Sequence, residues 1–64
     1  MNKEDQMTIY AINVLASKKI ECKRSLELTT YAPSRNNLEL TIESCDYAIN
    51  ILSERFRNEE KEEQ

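Results

Sequence analysis

The stretch that decides the fold is LELTIESCDYAINILSERF, residues 38–56. Its apolar side chains recur at alternating spacings of four and three residues, at Leu38, Ile42, Cys45, Ile49, Leu52 and Phe56. Because an α-helix turns once in about 3.6 residues, a repeat of this kind places all of its members along one stripe. The stretch therefore predicts a long amphipathic helix with one continuous apolar seam.

Breaker residues divide the rest of the chain. The 64 residues contain no glycine and a single proline, Pro33. Proline and polar turn residues around position 33 make this the one plausible turn. The predicted elements are a helix over 3–30, a turn over 31–35, a helix over 36–58 and a charged tail over 59–64.

The sequence indicates one N-cap residue for the first helix and several possible starts for the second. Asn2 precedes the first helix and is a favoured N-cap residue. For the second helix, Pro33 suits the first helical turn, whereas Ser34 or Asn36 would serve as a side-chain cap. The sequence leaves these three starts open.

Two long helices and one turn predict an all-α, antiparallel helical hairpin. The inner seam of the first helix contains Ala11, Leu15, Cys22 and Leu26. With a turn at residues 33–34, level positions have numbers that sum to about 67, so Cys22 is expected beside Cys45. Lys18 falls within this seam and is expected to extend its amine to solvent or to Asp46.

Each helix carries a second apolar stripe. These residues are spaced by seven and then four, and they are Ile9, Ala16 and Ile20 on the first helix and Leu40, Tyr47 and Ile51 on the second. A hairpin has one inner seam and cannot bury a second stripe of each helix. We therefore expect these six residues to form an interface, with two hairpins associating as a homodimeric four-helix bundle.

Composition excludes most catalytic chemistry. Without histidine the chain lacks the commonest general base and metal ligand, and without glycine it lacks the glycine-dependent phosphate loops. Cys22 and Cys45 belong to no CxxC pair and are expected to be reduced core residues. The predictions are no enzymatic activity, no cofactor, no metal and no small-molecule substrate.

Lysine and arginine cluster late in the first helix, at Lys18, Lys19, Lys23 and Arg24, and these residues are candidates for polar contacts. The predicted architecture resembles that of the Rop family of plasmid copy-number regulators in length, hairpin organisation and core cysteines. The resemblance implies a dimeric helical bundle that binds RNA, which is the alternative function. A net charge of −3 and the absence of interleaved aromatic residues weigh against nucleic acid as a partner.

The function predicted first is a small non-enzymatic regulatory or adaptor protein that acts through helix-mediated protein contacts. Its partner would be a larger bacterial or phage protein, which it inhibits or modulates. A third interpretation is an acidic decoy of nucleic acid, based on Glu39, Glu43, Asp46 and the glutamate-rich tail. No leader pattern and no long apolar run occur, so a cytoplasmic protein without membrane association is expected.

Overall fold

The computed structural model describes residues 2–63, and it describes side chains over residues 2–58. Two helices, α1 (Lys3–Leu28) and α2 (Ala32–Glu63), pack against each other as an antiparallel hairpin. No strand occurs within the described range. The all-α hairpin predicted from the sequence is confirmed.

The first helix begins as its capping residue predicts. Asn2 is extended, and its side-chain Oδ1 accepts a hydrogen bond of 2.8 Å from the backbone N–H of Asp5. The Asn2 carbonyl accepts the first helical hydrogen bond, from Gln6, at 3.1 Å. Asn2 therefore satisfies one N–H group that a helix N-terminus leaves without a partner.

The connector is shorter and lies earlier than the predicted turn over 31–35. Helix α1 ends at Leu28 rather than at 30, and α2 begins at Ala32 rather than at 36. The backbone N–H of Arg35 donates to the Tyr31 carbonyl at 3.0 Å, so Pro33 lies inside the first turn of α2. A proline is tolerated there because its missing N–H has no helical acceptor.

Arg35 holds this short connector closed. Its guanidinium Nη1 donates to the carbonyl oxygens of Leu26 and Thr29, both at 2.8 Å. Helix α1 has no basic residue in its last turn, so a side chain from α2 satisfies its C-terminal carbonyls. The positive charge also lies at the negative end of the α1 dipole.

Moving the connector changes the register of the hairpin. Leu52 lines one depression together with Thr8 and Ala11. A sum of about 67 would place Leu52 level with Leu15, whereas this depression brings Leu52 beside Ala11, about one helical turn away. The pairing of Cys22 with Cys45 stays a prediction.

The contact between the two helices buries few side chains completely. Cys22 and Cys45 are 4% and 5% exposed and are the two buried apolar residues between residues 2 and 58. Every other predicted seam residue is half-buried, as a two-helix contact allows. The hairpin is a rod of 50 × 15 × 13 Å with a radius of gyration of 14.9 Å. A compact chain of this length has a radius of gyration of about 11 Å, so much of the apolar surface stays at the outside.

The C-terminal end of α2 differs from the predicted charged tail over 59–64. The backbone stays helical through Glu63, five residues past the predicted end at 58. No glycine or proline follows Pro33, and glutamate, lysine and arginine are good helix formers. Gln64 lies outside the described residues.

Candidate functional site

The candidate site is a surface rather than a cleft, because large apolar side chains remain exposed on the outside of both helices. On α2 these are the three residues of its second stripe, Leu40, Tyr47 and Ile51, which are 62%, 60% and 50% exposed. Tyr47 and Ile51 line a shallow, largely apolar depression together with Glu43, Ser44 and Ala48.

Residues of α1 lie on the same side of the hairpin as this depression. Met7 lines a second depression together with Arg55, which fixes both residues on one side. Val14 follows Met7 by seven residues, and Ile51 precedes Arg55 by four, so each shares a helix face with its neighbour. We call this surface the Ile51 side, and its apolar members are Met7, Tyr10, Val14, Leu40, Tyr47, Ala48 and Ile51, all exposed except the half-buried Ala48.

The opposite side of the hairpin carries an ion pair. The Lys19 ammonium contacts the Asp46 carboxylate, and both side chains remain partly exposed. Ala16 precedes Lys19 by three residues, and Ile9 and Ile20 stand in the same helical row as Ala16. We call this surface the Ile20 side.

The structure therefore divides the six residues predicted as one interface. Ile9, Ala16 and Ile20 lie on the Ile20 side, whereas Leu40, Tyr47 and Ile51 lie on the Ile51 side. Helical spacing alone identifies each stripe. The side on which a stripe falls depends on the connector and on cross-helix contacts, which the sequence does not display.

Sequence reasoning missed the α1 residues of the Ile51 side. Met7, Tyr10 and Val14 are spaced by three and four residues, which is a helical stripe in its own right. The signal was present but weak, because Tyr10 has a polar tip and the row is interrupted after Val14 by Lys18. These three side chains are all about half exposed or more.

The four basic candidates do not form one patch. Lys19 is paired with Asp46, whereas Lys18 is exposed and lines a depression with Tyr10 and Val14 on the Ile51 side. The prediction that Lys18 lies in the seam is wrong, since the seam passes through its neighbour Lys19, which is half-buried. Lys23 lies beside Leu26 near the connector, and Arg24 is turned from it by about 100°.

Chemistry-bearing groups are sparse on the described part of the chain. Cys22 and Cys45 are both free thiols within the hairpin seam. Between residues 2 and 58, no group of three or more cysteine, aspartate or glutamate side chains is arranged to hold a metal ion.

Comparisons with known proteins add no relative. No protein family, no curated protein and no solved structure matches this chain. Neither α1 nor α2, over its described residues, has a stretch apolar enough for its length to cross a bilayer.

Proposed function

We propose that this chain is a non-enzymatic regulatory or adaptor module that acts through helix-to-helix contact, and that its folded unit is a homodimeric four-helix bundle. The proposal rests on one observation: few apolar side chains are buried in the hairpin, and many large ones are exposed. Between residues 2 and 58 the buried apolar residues are two cysteines. Large apolar side chains are exposed on both sides of the hairpin, among them Tyr47, Ile51 and Ile20. Large apolar patches on a small soluble chain are typical of interaction sites.

The total surface supports self-association. The hairpin exposes 5318 Å² of accessible surface. A compact protein of 7.5 kDa exposes about 4,200 Å². Two hairpins packed into one compact body of twice that mass would expose about 7,000 Å² together, so docking would bury about 3,600 Å². That area falls in the range of obligate homodimers, about 2,000–5,000 Å².

Thermal unfolding at several protein concentrations tests the dimer. A bundle that folds as it associates is stabilised by mass action, so its midpoint rises with concentration. For a dimer of this size we expect about 5 °C for each tenfold increase. A midpoint that stays constant over a hundredfold range would contradict self-association of the folded chain.

A dimer that buries one side of each hairpin leaves the other side available to a larger protein. Ile20, 52% exposed, is the most prominent apolar residue of the Ile20 side. We propose that this side contacts the target through an apolar helix, with the Lys19–Asp46 pair at its rim. The target class is a protein rather than a nucleic acid, because the basic residues of α1 are spread over several faces.

The target contact is tested with three immobilised forms of the full chain. These are the wild-type protein, Ile20→Lys and Asn58→Lys, the last adding the same charge at an exposed position near the end of α2. An extract of the source cells is passed over each. A specific target is retained by the wild-type and Asn58→Lys columns and lost from Ile20→Lys. The same proteins on all three columns, or none on any, would contradict the proposed contact.

A further inference from the structure

We infer that two copies dock through the Ile51 side, with α2 of one copy antiparallel to α2 of the other about a two-fold axis between Tyr47 and Ala48. The inference rests on the proposed self-association and adds which side is buried and how the two copies are placed. The occupant of the apolar depression on α2 is thus a second copy of this chain.

The depression has a shape that complements itself. Tyr47 and Ile51 are four residues apart and form a ridge along α2. Ser44 and Ala48, also four residues apart, form the adjoining groove. Ridge and groove therefore lie side by side on one helix, which is what packing of a helix against its own copy requires.

A two-fold axis brings ridge and groove together twice. With the axis between residues 47 and 48 of antiparallel helices, Ile51 lies over Ser44 of the second copy and Tyr47 lies over the second copy's Ala48. The same two contacts repeat in the opposite direction, so both ridges enter both grooves. Small residues in the grooves let the two helix axes approach closely.

The first helices extend the contact. Val14 and Met7 lie on the Ile51 side, where each lines a separate depression, Val14 on α1 and Met7 between α1 and α2. The axis that pairs the two α2 helices also places the two α1 helices next to each other, so these exposed side chains enter the dimer. Four helices then share one apolar layer.

The Ile20 side is less suited to this contact. It carries the Lys19–Asp46 pair, whose side chains are 27% and 48% exposed. The Ile51 side also carries charged groups, among them Lys18 and the Glu43 that lines the depression on α2. It exposes far more apolar surface, however, because six of its members are large exposed apolar side chains, whereas those of the Ile20 side are Ile9 and Ile20.

A matched pair of variants tests the assignment. Ile51 and Ile20 are the same residue type with nearly equal exposure, 50% and 52%, and they lie on opposite sides. Sedimentation equilibrium gives the dimer dissociation constant for the wild-type chain, Ile51→Lys and Ile20→Lys. Because each dimer buries two copies of Ile51, we expect Ile51→Lys to raise this constant by at least about 30-fold and Ile20→Lys to change it by less than about threefold. Far-UV circular dichroism of concentrated samples verifies that each variant is helical.

The outcomes separate the two proposals. A wild-type chain that is monomeric at every concentration would overturn self-association itself. A dimeric wild-type chain in which Ile20→Lys dissociates as readily as Ile51→Lys, or in which neither does, would overturn the Ile51-side contact alone.

Cross-linking tests the position of the axis without weakening the dimer. Ala48→Cys places a thiol beside its symmetry mate, whereas Ile20→Cys places one on the opposite side. Mild oxidation of the native dimer should convert Ala48→Cys to a covalent dimer at least tenfold faster than Ile20→Cys, because a disulfide needs Cα atoms within about 7 Å. Equal rates would overturn the proposed axis.

Discussion

The contact of the Arg35 guanidinium with the end of α1, which we call the Arg35 clamp, gives the most specific prediction about the stability of the hairpin. One guanidinium nitrogen donates to two carbonyls at the end of α1, those of Leu26 and Thr29. Replacing Arg35 with methionine keeps much of the apolar stem and removes the donor. Both carbonyls then lose their partner in a part-buried setting, and the α1 dipole loses its facing charge.

The expected loss is large for a chain of this length. A hydrogen bond from a charged donor contributes about 1.5–3 kcal/mol. Taking the lower value for each part-buried bond, Arg35→Met should lower the free energy of unfolding by about 3 kcal/mol. A domain of 64 residues has a total stability of about 3–10 kcal/mol, so the loss is a substantial share. The corresponding fall in thermal midpoint is about 10 °C or more.

Urea and thermal unfolding at one fixed protein concentration measure this effect. Arg24→Met is the matched control, since Arg24 is exposed on α1. It should change the free energy of unfolding by less than about 0.5 kcal/mol. Arg35→Lys should lie between the two, because lysine keeps the charge without the planar donor geometry. An Arg35→Met chain as stable as Arg24→Met would refute the clamp.

Three further predictions concern the cap, the thiols and the ion pair. Asn2→Ala should lower the free energy of unfolding by about 1 kcal/mol through loss of its hydrogen bond to Asp5, and an unchanged urea midpoint would argue against this cap. Cys22 and Cys45 should react with a water-soluble thiol reagent at least about 100-fold more slowly in the native protein than in urea, and rapid native labelling would contradict their burial. A double-mutant cycle with Lys19→Met and Asp46→Asn should give a coupling of about 0.2–1 kcal/mol that shrinks in high salt, and a coupling above about 2 kcal/mol would show that the pair is shielded from water.

Local features of the fold were predictable from the sequence. The 4-3 spacing from Leu38 to Phe56 reports helical periodicity directly, and the structure buries or half-buries every member of that seam. Asn2 signals its helix start because its short amide side chain reaches the third helical N–H.

The position of the connector was not predictable in the same way. Pro33 fits both the turn before a helix and the first turn of one, so the sequence alone does not separate the two. The structure selects the second, through the hydrogen bond from Arg35 to Tyr31 and the contacts of the Arg35 side chain with α1. Since these contacts join residues six and nine positions apart in the chain, no local pattern reports them.

The side of the hairpin on which each candidate residue lies was not predictable either. Which side of the hairpin a stripe occupies depends on where α2 begins and how the two helices face each other. The Lys19–Asp46 pair and the depression shared by Met7 and Arg55 settle this only once both helices are in place. The stripe residues themselves, such as Ile20 and Ile51, were identified by spacing alone.

The most direct measurement of the central claim is the mass of the native chain by light scattering, over a dilution series at neutral pH with a reductant present. If the exposed apolar rows are covered by a second copy, the mass will stay near twice 7.5 kDa until the dimer dissociates at low concentration. A helical, folded chain with a mass of 7.5 kDa throughout the series would contradict the claim.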